Sequence, residues 1–148
     1  LIMNAITSKI PLIRALAAEA SGRLAHAAND PMFVASLAQQ CFDRLHRSGD
    51  EPTRSGFVLA LGCLHRHVGS LGSGQHLNVT AKIALSLAQD PSSSTVQAWS
   101  LLSLSLIAET GGGMFSGYVD PMLTTSVNLL LSTPSSCTDV ALSTGKLV

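Results

Sequence analysis

Ile13-Arg14-Ala15-Leu16-Ala17-Ala18-Glu19-Ala20-Ser21-Gly22-Arg23-Leu24 and Thr53-Arg54-Ser55-Gly56-Phe57-Val58-Leu59-Ala60-Leu61-Gly62-Cys63-Leu64 are the two stretches that decide how this chain folds. Moved forward by forty residues, the first sets Arg14 on Arg54, Ala20 on Ala60, Gly22 on Gly62 and Leu24 on Leu64. A further slide of 43 sets Ala60 on Ser103, Gly62 on Ser105 and Leu64 on Ile107, so a small residue again precedes an aliphatic one. Small residues recur where helices would approach closely.

The segments around these stretches have helical rhythm. Ile13, Leu16, Ala17, Ala20 and Leu24 keep the i, i+3, i+4, i+7 spacing of one helix face. Phe33, Leu37, Cys41 and Leu45 do the same with Val34, Ala38 and Phe42 beside them. Phe57, Leu61, Leu64 and Val68 follow, then Leu77, Ala81, Leu85 and Ala88, and finally Met122, Leu123, Val127, Leu130 and Leu131. Val96 to Glu109 is apolar nearly all round, as an inner helix with neighbours on two sides would be. Breakers separate the runs at Asn29-Asp30-Pro31, Ser48 to Pro52, Gly69 to Gly74, Asp90-Pro91-Ser92, Gly111 to Gly113 and Thr133-Pro134. Asp30-Pro31, Asp90-Pro91 and Asp120-Pro121 each set an acceptor before a proline and predict helix starts.

About six helices follow, in an all-α chain of three hairpins over residues 13–47, 53–89 and 95–132. Periods of about 40 to 47 residues with two helices apiece mark HEAT and armadillo arrays, in which each hairpin buries its face on the next. The expected architecture is an α-solenoid over residues 1–134, with a poorly ordered or truncated tail at 135–148. A closed helical bundle would show the same amphipathicity without a repeat.

Composition narrows the function classes. The 148 residues are 46% apolar with nine basic and nine acidic side chains, so the chain is one globular domain without the basic footprint of a nucleic-acid or anionic-lipid binder. Cys41, Cys63 and Cys137 are odd in number and widely spaced, which suits reduced thiols in a cytosolic protein. The apolar run at 96–108 is too short for a membrane span and carries three serines. A start at Leu1 without methionine or a signal peptide reads as a piece of something longer.

Catalytic and metal patterns are weak. Cys63, His65, His67 and His76 form the densest group of potential ligands, but alternate residues on one helix point to opposite sides. Only Cys63 and His67 share a face. No nucleophile elbow is present, and Asp43, Asp50 and Glu51 sit at a helix end or turn, where capping explains them. Gly69 to Gly74 and Gly145-Lys146-Leu147 lack the order of a phosphate loop. Asn78-Val79-Thr80 fits a glycosylation sequon but falls on a predicted helix. Arg14 and Arg54 share a repeat position, which suits braces to neighbouring carbonyls or carboxylates. Trp99, in the most apolar helix, is expected at a core or inter-repeat contact. No catalytic, cofactor-binding, metal or partner-binding residue is assigned.

Specific strings add a resemblance. Ile13 to Ala20 with Gly22-Arg23-Leu24 resembles a HEAT-repeat helix. Leu59-Ala60-Leu61-Gly62-Cys63-Leu64-His65-Arg66, Gly74-Gln75-His76-Leu77-Asn78, Leu87-Ala88-Gln89-Asp90, Val96-Gln97-Ala98-Trp99-Ser100-Leu101 and Gly117-Tyr118-Val119-Asp120-Pro121 together resemble the HEAT repeat-containing protein 5 family. The likeness covers roughly residues 12–134. Cys137-Thr138-Asp139-Val140 still fits loosely, whereas Ala141 to Val148 lacks the amphipathic helix that should follow.

The resemblance implies a non-enzymatic, cofactor-free scaffold within a very long solenoid. Its implied partners are aftiphilin, gamma-synergin and, through them, the clathrin adaptor complex. Its implied place is cytoplasmic, peripheral to the trans-Golgi network, endosomes and clathrin-coated vesicles, in retrograde transport, endocytosis and protein localisation. No nucleic acid or membrane insertion is expected, and neighbouring repeats of a longer chain are. The alternative is a small all-α enzyme or ligand carrier with its site between helices.

Overall fold

A computed structural model describes residues 1–47, 49–132 and Leu142; side chains at 70–75 are outside the description. All its regular elements are helical: α1 (Ile2–Ala5), α2 (Pro11–Ala28), α3 (Pro31–Arg47), α4 (Glu51–Gln89), α5 (Ser94–Gly111), a 3-10 turn (Gly112–Phe115) and α6 (Ser116–Ser132). The described residues are all-α, as the periodicity predicts. The tail expected at 135–148, with Cys137 and the Gly145-Lys146-Leu147 string, lies outside the described residues apart from Leu142.

Local chemistry sets the helix ends. Asp30 Oδ1 accepts from the Met32 amide at 2.9 Å at the start of α3. Asp50 caps α4 by accepting from the Thr53 amide at 3.1 Å. Two expected starts move. Asp90 closes α4 instead of opening α5, which is capped by the Ser93 hydroxyl accepting from the Val96 amide. Asp120-Pro121 lies inside α6, because the 3-10 turn has already started that helix at Ser116.

The glycine-rich connection expected at Gly69 to Gly74 contracts to one residue. Gly69, at φ 74° and ψ −175°, alone departs from helical geometry within α4, in a region of backbone space that side-chain-bearing residues avoid. A straight helix would separate Arg54 from Asp90 by about 54 Å at 1.5 Å per residue. Their side chains form an ion pair. The second arm of α4 therefore folds back on the first.

The first arm is the centre of the packing. It lies between α2 and α5, while α3 and α6 also pack on α4. Each close approach uses a glycine. A methyl group on Gly22 would stand 2.6 Å from the Cys63 carbonyl oxygen; one on Gly62 would stand 2.5 Å from Ser103 Oγ and 2.8 Å from its Cα. The two contacts are related by the same forty residues that relate Gly22 to Gly62 and Cys63 to Ser103. Ser103 Oγ also donates to the Val58 carbonyl at 2.8 Å, so its buried hydroxyl is satisfied.

Two apolar clusters flank this seam. One joins Ile6, Ala18, Val34, Phe42, Phe57 and Leu61; the other joins Val58, Leu77, Leu101, Leu104, Ile107 and Phe115. The end helices are turned relative to their apolar periodicity. α2 buries Arg14, Ala17, Ala18, Ser21, Gly22 and Ala25 and leaves Leu12, Leu16 and Leu24 exposed. α6 buries Met122, Thr125 and Ser126 and exposes Leu123, Val127, Leu130 and Leu131. Small residues face inward because they allow backbones to approach, and the bulky aliphatic stripes remain outside.

The close contacts make glycine position-specific. Gly62→Ala and Gly22→Ala are expected to destabilise the chain by about 2 kcal/mol or more through overpacking. Gly117→Ala, in α6 with nothing within 4 Å of its added methyl, is expected to be neutral or stabilising by up to about 1 kcal/mol. Urea denaturation of the three variants checks this; equal midpoints would contradict the packing described.

Candidate functional site

The densest cluster of chemistry-bearing side chains, Cys63, His65, His67 and His76, is dispersed by the fold. His65 is buried and its Nε2 lies 3.1 Å from Thr80 Oγ1. Thr80 Oγ1 donates its one proton to the His76 carbonyl at 3.0 Å, so it accepts from His65, whose proton sits on Nε2. Thr110 Oγ1 of α5 donates to the His65 carbonyl at 3.1 Å. One residue thus ties both arms of α4 to α5. Burial and then the nearby His76 charge push the His65 pKa down to about 4, and the ring is neutral at pH 7.

His67 and Cys63 turn the other way, toward α2. His67 Nε2 stands 2.9 Å from Glu19 Oε1, which also accepts from Arg23 Nε at 2.7 Å. Burial raises the Glu19 pKa, but hydrogen bonds from Arg23 and His67 and their charges outweigh it and leave the carboxyl below its ordinary range. Burial and then the Glu19 charge push the Cys63 thiol up to about 12. Burial alone does the same to Cys41. Neither thiol offers a thiolate at neutral pH.

His76 packs its ring on Phe42 with centroids 5.8 Å apart, while remaining near enough for its charge to act on His65. Among the described residues no three His, Cys, Asp or Glu side chains gather in a way that would hold a metal ion. Glu19 is the carboxylate companion that sequence reasoning missed. It lies 48 positions from His67, and only the Gly22 approach brings it near.

The two equivalent arginines brace different neighbours. Arg14 is buried, donates to the Ser8 carbonyl at 2.8 Å and stands 4.9 Å from the centre of the Trp99 ring. Its Nε has no hydrogen-bond partner among the described residues. Trp99 therefore sits at a contact between α2 and α5. Arg54 pairs with Asp90 and Ser92 beyond the end of α4. Hydrogen bonds from Arg54 and then Ser92 hold the Asp90 carboxyl down at about 2. Asp43 accepts from Gln39, and Glu51 accepts from the Ser93 hydroxyl.

In the sequon, Thr80 is fully buried, while Asn78 Oδ1 and its carbonyl lie within hydrogen-bond reach of the Tyr118 hydroxyl. Among the described residues no helix is long and apolar enough to cross a membrane.

No family model matches the chain, and no solved structure matches it. Over 135 residues the chain is similar to Protein SWEETIE of Arabidopsis thaliana at 28% identity. That similarity takes in 91% of this chain and 6% of the relative, so the chain spans a small part of that protein's length.

The His65 environment gives a pH signature. Its pKa falls from 6.5 in the unfolded chain to about 4 in the fold, so between those values the unfolded state binds the extra proton and stability drops as pH falls. The loss amounts to roughly 3 kcal/mol. Glu19 and Asp90, both lowered, add their losses only below about pH 4.5. Urea midpoints between pH 7 and 4.5 are expected to fall for the native chain and to stay nearly flat for His65→Gln. A native midpoint independent of pH in that window would contradict the buried neutral ring.

Proposed function

We propose that the chain is a segment of a HEAT-type α-solenoid, a non-enzymatic scaffold of the HEAT repeat-containing protein 5 kind. Its work is protein–protein interaction in clathrin-adaptor-linked traffic between the trans-Golgi network and endosomes. One observation carries the architectural part: the Gly22–Cys63 contact and the Gly62–Ser103 contact repeat at a fixed forty-residue offset. Successive hairpins stacked side by side make such a pair, here with Ser103 three residues short of the position that the 43-residue slide gives.

The outer aliphatic stripes fit the same reading. Leu16 occupies the repeat position of Gly56, and Gly56 is covered by the backbone of Ile6. Leu12, Leu16 and Ala20 at one end, and Leu123, Val127 and Leu131 at the other, are then faces that neighbouring repeats of a longer chain cover. Extent supports it too, since the similarity to Protein SWEETIE occupies only 6% of that protein.

The trafficking content rests on the resemblance of the strings Leu59 to Arg66, Gly74 to Asn78, Leu87 to Asp90, Val96 to Leu101 and Gly117 to Pro121. A scaffold rather than a Cys–His–Glu enzyme is favoured because Cys63 is held as a thiol and the Glu19 carboxylate is already engaged by Arg23. Aftiphilin, gamma-synergin and the clathrin adaptor complex are the proposed partners, in the cytoplasm at membranes of the trans-Golgi network and endosomes.

Affinity recovery of aftiphilin and gamma-synergin with the intact protein, and with residues 12–134 deleted, tests the proposal. Loss of both partners on deletion is expected. Unchanged recovery would remove this segment from the binding role.

A further inference from the structure

A charge taken out of water is ordinarily balanced by an opposite charge or by a full set of hydrogen bonds. Arg14 has neither. It keeps 2% of its surface exposed, and both of its side-chain hydrogen bonds leave from Nη1, to the carbonyls of Ser8 at 2.8 Å and Lys9 at 3.4 Å. Trp99 covers one face of the guanidinium. The edge formed by Nε and Nη2 donates to nothing among the described residues, and Nε is enclosed. None of the ion pairs among those residues includes Arg14.

The equivalent arginine of the next hairpin shows what such a group takes. Arg14 is the fourth residue of α2, and Arg54 is the fourth of α4. Arg54 grips the Asp90 carboxylate, 36 residues further on. The residue 36 beyond Arg14 is Asp50, which accepts from the Thr53 amide as the cap of α4. The first hairpin thus keeps the cation and turns the corresponding acid to another use. Its surroundings are electropositive. α2 has no acidic residue in its first turn and no capping side chain, Lys9 precedes it, and Glu19 is the first acidic residue of the chain. At the start of α4, Glu51 is engaged by the Ser93 hydroxyl.

We infer that the Nε and Nη2 edge of Arg14 binds one carboxylate, carried by an aspartate or glutamate of a partner protein packed over the turn at residues 8–10. The side-on fork of a guanidinium matches a planar carboxylate with two parallel hydrogen bonds, and the N-terminal dipole of α2 favours the same sign of charge. One negative charge balances one guanidinium. A doubly charged phosphate would carry an unbalanced charge into a desolvated place. A side chain of a protein is favoured over a free acid because Ile10, next to the Lys9 carbonyl, is 56% exposed and Pro11 is exposed beside it. Apolar neighbours of the acid would cover both. Because the guanidinium hangs from the carbonyls of this exposed turn, it lies just beneath the surface that the segment covers. The inference gives the scaffold reading a contact point and rests on that reading for the protein source of the carboxylate.

Nitrogen NMR of the arginine Nε–H groups tests it on the full chain, with emission of Trp99, the single tryptophan, as a second signal. The probes are a synthetic leucine–serine peptide carrying one glutamate, its glutamine version, acetate and inorganic phosphate. The glutamate peptide and acetate are expected to shift the Arg14 Nε–H resonance and the Trp99 emission. The peptide is expected to saturate at a concentration about tenfold or more below that of acetate, and R14M to lose the Trp99 response. Thermal melting confirms that R14M folds, and the Nε–H titration of the native chain stands without the variant.

No shift with either carboxylate would leave the edge to a buried water and overturn the site. A shift at lower concentrations of phosphate than of acetate, or a Trp99 response kept in R14M, would also overturn it. An equal response to the glutamine peptide, or a glutamate peptide no tighter than acetate, would overturn the protein source. Recovery of the adaptor partners is a separate readout. Failure at Arg14 with recovery intact leaves the scaffold reading standing, whereas failure of recovery strikes that reading itself.

Discussion

The fold depends on how closely the first arm of α4 lies against its two neighbours. Gly22 presents no side chain to the Cys63 backbone, and Gly62 presents none to Ser103. At both seams backbone meets backbone or a hydroxyl, so flanking side chains interlock at short range. Phe57 and Leu61 pack toward α2 and α3, and Val58 packs toward α5. Burial of these groups supplies the main driving force. The glycines decide where it can act.

Buried polar groups then fix which arm meets which. His65, Thr80 and Thr110 form a chain of hydrogen bonds through the centre, and Ser103 reaches the Val58 carbonyl from α5. Misplacing any of these groups would leave a donor or acceptor unpaired away from water, which costs more than the bond itself contributes. The turn at Gly69 makes the arrangement possible. It is a short connection, so the two arms of α4 have little freedom in how they pair.

Much of this was legible in the sequence, and the reasons for the rest are physical. The forty-residue offset located Gly22 and Gly62, and the all-round apolar character of Val96 to Glu109 marked α5 as an inner helix, with ten of its residues buried. Periodicity picked out only part of the faces that seat α2 and α6, Ala17 and Met122 being common to both. It weighs aliphatic side chains, whereas these helices are seated through Ala18, Gly22, Thr125 and Ser126. Prolines at 91 and 121 misplaced two helix starts because an aspartate before proline also serves a turn or a continuing helix. Glu19 beside His67 depends on a contact between distant segments that local spacing does not encode.

An open row of hairpins and a closed bundle differ most in how far the first helix lies from the last. Spin labels at Ala20 on α2 and Asn128 on α6, both exposed, read that distance by double electron–electron resonance, with the native cysteines replaced by serine or alanine. Helix axes pack about 8–10 Å apart. Two intervening seams therefore predict a single distribution centred beyond about 20 Å. A distribution near 10 Å, placing α2 directly against α6, would contradict the open array.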